Sequence, residues 1–171
     1  MEPLRWTSFI ERMADSAEDL GLDPFPGPAA VNTRTFQGRS ACMYHGFCDR
    51  GGCHVDAKNS TAVTTIPSAE ATGNLTVVPR AHVITINVDR DGHVTGVTYL
   101  QGGEEFFQPA RFVLLGSYTY ENVRLLLRST SHAYPVGLSN NHGQVGRHYL
   151  SHQKGGSVSA LFPFDLKAWY G

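Results

Sequence analysis

Cys42, Cys48 and Cys53 are the three cysteines of the chain, and they fall in one glycine-rich window, spaced C-x5-C-x4-C. An odd number of cysteines in so short a stretch argues against a disulfide framework. Three thiolates on one loop can hold a cluster of three irons, one sulfur per iron, or a larger cluster with one foreign ligand. They can also bind zinc if His45 or His54 completes the set. The spacing matches none of the common ferredoxin or zinc-finger runs, so three unligated thiols packed in a loop stay open as well. Arg39 and Lys58 flank the window. They can steer an anionic group, or serve as solvated loop charges.

Histidine is the usual acid–base group near neutral pH. His142, His148 and His152 lie close together in the sequence. No paired carboxylate or nucleophile stands at a recognisable spacing from them, so they read as surface or core residues. His82 reads as part of a strand. Asn59-Ser60-Thr61 and Asn74-Leu75-Thr76 match the glycosylation sequon. No uninterrupted apolar leader precedes them, and both read as chance.

The elements that must carry these residues follow from periodicity. Ser8 and Glu11 read as a capping box opening a helix over 8–20, with apolar residues at Phe9, Ile10, Met13, Ala14, Ala17 and Leu20 and a C-cap at Gly21. Three prolines, at 24, 26 and 28, then enforce an extended arm to Gly38. No period runs through 39–60. Small residues over 60–71 suggest a helix. Leu75 to Val78 reads as a strand. Asp91-Gly92 between apolar runs predicts a hairpin, with a return strand through Val94, Val97 and Tyr99. Gly102-Gly103 turns into a third strand over 104–108. Phe112 to Leu115 is continuously apolar, as in a strand buried on both faces of a parallel sheet. A helix over 121–128 follows. Phe162, Phe164, Trp169 and Tyr170 have no evident cover in the tail.

Composition narrows the class. Hydrophobic residues make up 41% and charged residues 17%, which excludes wholesale disorder. Fourteen basic against 15 acidic side chains give a net charge of -1, so nothing drives nucleic-acid binding. No apolar run approaches the roughly 20 residues that span a bilayer. With no signal peptide in 1–20, the expected compartment is the cytoplasm.

The order of these pieces resembles the glucose–methanol–choline (GMC) flavoprotein oxidoreductases, in the branch of gluconate, sorbitol and fructose dehydrogenase flavoprotein subunits. The residues that carry the resemblance are Asn74-Leu75-Thr76-Val77, Ala81-His82-Val83 and Gly96-Val97-Thr98-Tyr99, then Phe112 to Leu115 and Asn122 to Ser129. Gly38 to Cys42, Cys53, Ala57 to Ser60, Gly137 to Asn140 and Val145 to His148 extend it. The resemblance implies an α/β fold: a partial Rossmann-like FAD-binding domain with a three-stranded β-meander. It implies FAD as cofactor, with Val83 offering its backbone to adenine and Gly116, Ser117 and Tyr118 passing near the dinucleotide. Related subunits that feed a haem subunit carry an iron–sulfur cluster near the flavin with similar cysteine crowding, so the resemblance makes Cys42, Cys48 and Cys53 the candidate metal ligands, beside the zinc and unligated readings above. The expected division is 1–38, helix and arm; 39–129, partial FAD-binding domain with the cysteine loop; and 130–171, the start of a substrate-domain segment.

Departures qualify this. Glu121-Asn122 stands where the family usually has Ser-Pro, and Ser129-Thr130 where it has Ser-Gly. No G-x-G-x-x-G turn occurs, and nothing in 130–171 matches the family's catalytic histidine segment. The chain is therefore expected to be an internal piece of a dehydrogenase acting on CH–OH groups of sugars, polyols or sugar acids, inactive alone. Its partners would be the remaining flavoprotein or an electron-transfer subunit. The alternatives are a small iron–sulfur or zinc electron-transfer module and a non-catalytic remnant.

Overall fold

In the computed structural model, residues 1–45, 48, 52–152, 156 and 158–165 are described. The chain forms two compact units: Met1–Thr76 with Ser157–Gly171, and Val77–Gly156. The division falls inside the segment 39–129 that the resemblance groups together.

In the first unit, α1 spans Ser8–Asp19. Its N-cap is Thr7, whose hydroxyl accepts the Ile10 N–H at 3.5 Å. The expected Ser8–Glu11 box is thus displaced by one residue: with Thr7 as cap, Glu11 lies one position too far along to reach back. The helix ends as expected at Gly21. Its N–H donates to the Glu18 carbonyl and that of Leu22 to the Ala17 carbonyl, a Schellman closure with Gly21 at φ 76°. The prolines keep 22–30 without regular structure. The arm is more than a connector, because it pairs with the segment after the cysteines. Val31 bridges Lys58. Asn32 donates to the Ala57 carbonyl and accepts from the Cys42 N–H. Asn32 is fully buried, and its side-chain oxygen accepts from Asn59 Nδ2 at 3.2 Å. Helix α2 covers only Thr65–Glu70, shorter than 60–71, with Pro67 in its first turn where no intrahelical N–H is required. In the tail, the Arg12 guanidinium lies 5.0 Å from the Phe164 ring, which gives that ring partial cover. Trp169 and Tyr170 lie outside the described residues.

The second unit is built on an antiparallel sheet of β1 (His82–Val88), β2 (Val94–Gln101) and β3 (Glu104–Pro109), in that order. This is the expected meander. Asp89 shapes the first hairpin by accepting the N–H groups of Asp91 and His93 at 3.0 and 2.8 Å. Tyr99 and Phe106 face each other across β2 and β3 with ring centroids 5.5 Å apart. Helix α3 (Thr119–Arg128) packs on β1. Ile86, Leu125 and Leu138 form the buried centre, joined by Val83, Val97, Val113 and Leu115. Leu138 comes from the segment after α3, and its N–H donates to the Leu126 carbonyl at 2.9 Å.

Two expected strands are absent from the described residues. Neither 75–78 nor 112–115 enters a ladder. Along 112–115 alternate side chains divide: Val113 and Leu115 pack inward, while Phe112 and Leu114 are 87% and 97% exposed. An extended run becomes a strand only when another strand meets its N–H and C=O groups. None does so here. The parallel sheet of a Rossmann-like domain is accordingly not seen among the described residues, whose sheet is wholly antiparallel. No described helix is long and apolar enough to cross a membrane.

The hairpin makes a pH prediction. Hydrogen bonds from backbone N–H groups, His93 first, hold the Asp89 carboxyl below its ordinary value of 3.8. A depressed carboxylate stabilises the fold above the unfolded value and loses that contribution as pH falls through the folded one. The protection of amides over 89–93, taken against their intrinsic exchange rates at the same pH, is therefore expected to fall in acid below pH 3.8. In Asp89→Asn, which keeps an acceptor without the charge, this acid step should vanish.

Candidate functional site

Val83 and Ser117, 34 positions apart in the sequence, line one cleft of about 320 Å³ in the second unit. The fold brings them together by setting the start of β1 beside the start of α3. Ala81 and Leu125 supply apolar wall; His82, Glu121 and Arg124 supply the polar rim. Arg124 Nε donates to Glu121 Oε2 at 2.7 Å, and its terminal nitrogen lies 3.3 Å from His82 Nε2. These three rim residues were not singled out as a site from sequence. The signal was the i,i+3 spacing of Glu121 and Arg124, which puts the pair on one helix face; the pairing with His82 is visible only in three dimensions.

Gly116 and Tyr118 flank Ser117 but do not line the cleft. The Ser117 N–H, in the turn that the resemblance sets near the dinucleotide, donates to Asn122 Oδ1 at 3.0 Å. The Asn122 side chain thus reaches back over the turn. Tyr118 occupies the N-cap position of α3 at φ 75° and ψ 160°, a region that residues other than glycine rarely enter. Its ring lies edge-on to Tyr120 at 5.6 Å, and Tyr120 lies 5.3 Å from Tyr149. A hydrogen bond with the Tyr120 hydroxyl raises the Tyr149 phenol above its ordinary value.

The cysteine loop belongs to the first unit, and its sulfurs are held separately. Cys42 Sγ accepts the Tyr44 N–H at 3.4 Å. Cys48 Sγ lies 3.1 Å from His45 Nδ1. Cys53 is pulled below its ordinary value by backbone N–H groups, Lys58 first, then Val55 and Ala57. His45 and His54 stack with centroids 4.4 Å apart. All three thiols are free. No three of these cysteines and histidines bring their ligand atoms within 4.8 Å of one another. In this geometry the described ligand atoms of the loop do not converge on a single metal ion. Arg39 and Lys58 are used within the loop: Arg39 on the Asp56 carbonyl and on Asn59 Oδ1, Lys58 on the Cys48 carbonyl. Asp89, Asp91 and His93 form the one such gathering among the described residues. They are exposed, and the hairpin's own hydrogen bonds account for the arrangement.

His142 does not line the cleft. His148 Nε2 meets Gln144 Oε1 at 3.2 Å, a local contact.

No family model matches the chain. It is 32% identical over 163 residues to a gluconate 2-dehydrogenase flavoprotein of Pantoea cypripedii, covering 91% of this chain and 26% of that protein. It is 30% identical over 168 residues to a paromamine 6'-oxidase of Streptomyces fradiae, covering 95% of this chain and 31% of that protein. A fructose dehydrogenase large subunit of Gluconobacter japonicus is 25% identical over 134 residues, covering 78% and 24%. The chain thus spans 24–31% of the length of these curated relatives, and what it resembles is one stretch of larger redox enzymes, the first of them named a flavoprotein.

Proposed function

We propose that this chain is the adenine-side portion of a GMC-like, FAD-dependent oxidoreductase. The whole protein would oxidise a CH–OH group of a sugar, polyol or sugar acid and pass electrons to a partner subunit or a small acceptor. The observation that carries the reading is the similarity to a gluconate 2-dehydrogenase flavoprotein along 91% of the chain. The cleft supports it independently. Ligand pockets of roughly 300–1,000 Å³ are usual, so about 320 Å³ suits one ring system and not a whole dinucleotide.

Val83 would present its backbone to the adenine edge, which needs a donor and an acceptor side by side. Ser117 adds a hydroxyl at the same cleft. Gly116 and Tyr118 would act as the supports of that turn. When bound, FAD supplies the hydride acceptor; these residues bind and orient its far end and move no proton. The cysteine loop has no part in this reading.

Competition tests it. The chain is expected to bind FAD, to be competed by ADP, and to ignore FMN, which has the flavin but no adenine. Flavin fluorescence anisotropy reads all three. Equal binding of FMN and FAD, or no displacement by ADP, would overturn the adenine-side assignment.

A further inference from the structure

We propose that Arg124 fixes a flat base in the cleft by laying its guanidinium plane against the ring, and that the cleft reads the base and not a phosphate. This rests on reading the cleft as an adenine site and adds a specificity-determining residue to it.

The side chain is already held at two points. Glu121 Oε2 takes its Nε at 2.7 Å, and His82 Nε2 lies 3.3 Å from its terminal nitrogen. Arginine has donors only, so His82 Nε2 is the acceptor in that contact. One anchor is on α3 and the other at the first residue of β1, so the guanidinium spans the rim between the two elements that form the cleft. A side chain ordered before the ligand arrives loses little further rotamer freedom on binding.

Charge then selects the ligand. Glu121 offsets Arg124, so the charged residues of the rim are one carboxylate and one guanidinium paired with each other. Little net field remains to attract a phosphate. The backbone donor a phosphate would want, the Ser117 N–H, is already taken by Asn122. The remaining wall, Ala81, Val83 and Leu125, is apolar. A planar uncharged ring with one polar edge meets all of these conditions, and a guanidinium plane stacks on such a ring in a way that a lysine ammonium cannot.

The test uses the full chain and two probes, adenosine and AMP, titrated by ligand-observed NMR at low and high salt. Circular dichroism confirms that each variant is folded. Wild type is expected to bind both probes with affinities within about twofold and with little salt dependence. Arg124→Lys keeps the charge, loses the plane, and should weaken adenosine binding about tenfold. Arg124→Met should do the same. An Arg124→Lys chain that binds adenosine as wild type does would overturn the stacking role. AMP binding much tighter than adenosine and falling with salt would show a phosphate contact and overturn the base selectivity. A folded wild type that binds neither probe overturns the adenine reading itself, and this inference with it.

Discussion

Gly96→Ala is expected to disrupt the centre of the sheet. Gly96 lies on β2, facing Asn87 on β1 and Pro109 on β3. A Cβ added there would meet the Gln108 carbonyl oxygen at 2.3 Å and the Phe107 ring at 2.8 Å. The ring can turn away, but the carbonyl belongs to the β3 backbone, so the ladder itself must shift. Overpacking in a well-packed site costs about 1–3 kcal/mol, and a clash with backbone belongs at the upper end. Among the described residues the second unit has Ile86, Leu125 and Leu138 as its buried centre, a small reserve against such a loss. Amides across β2 and β3 should lose exchange protection in Gly96→Ala, while α1, in the other unit, keeps its own. Unchanged protection would show that β3 can move off β2 freely.

Ser129→Ala should reach the cleft from its far end. Ser129 is 2% exposed at the C-cap of α3. Its hydroxyl donates to the Leu125 carbonyl at 2.7 Å and accepts the Ile86 N–H at 2.9 Å. That second bond closes the outer edge of β1 at Ile86 and ties the strand to the helix. Alanine leaves the Ile86 N–H buried without an acceptor, at a cost of about 1–3 kcal/mol. The Ile86 amide is therefore expected to exchange about tenfold faster or more. Val83 lies three residues upstream on the same strand, and Arg124 lies on the helix being released. Adenosine affinity should fall along with amide protection. Ser129→Thr, which keeps the hydroxyl, should restore much of both. If Ser129→Ala lowered stability with adenosine affinity untouched, β1 and α3 would be held together by packing alone.

These two residues also show where sequence reading succeeds and stops. Gly96 and Ser129 both belonged to the family-like stretches, but nothing in the sequence said that one faces a backbone carbonyl and the other a strand amide. Each contact joins residues distant in the chain. The local elements were legible because their causes are local. Gly21 closes α1 within the last turn of the helix itself. Asp89 to Gly92 turns the hairpin using its own side-chain oxygen and neighbouring N–H groups. The meander and α3 followed from periods of two and of 3.6 that need no outside partner to be recognised.

What failed was whatever requires a second strand. Leu75–Val78 and Phe112–Leu115 have strand composition, yet β structure is completed by a neighbour's hydrogen bonds, and none is provided among the described residues. The cysteine spacing leaves the aim of the sulfurs open, because spacing along a loop does not orient side chains, and here each sulfur meets a different local partner. The cleft is the reverse case. Val83 and Ser117 were proposed separately through a family likeness, and the packing of α3 on β1 set them in one pocket while adding His82, Glu121 and Arg124. Residue order alone settled α1, α3, the turns and the meander, because torsions, caps and periodicity act over a few residues. The site came from tertiary packing, because distances between side chains far apart in sequence exist only once a helix has docked on a strand.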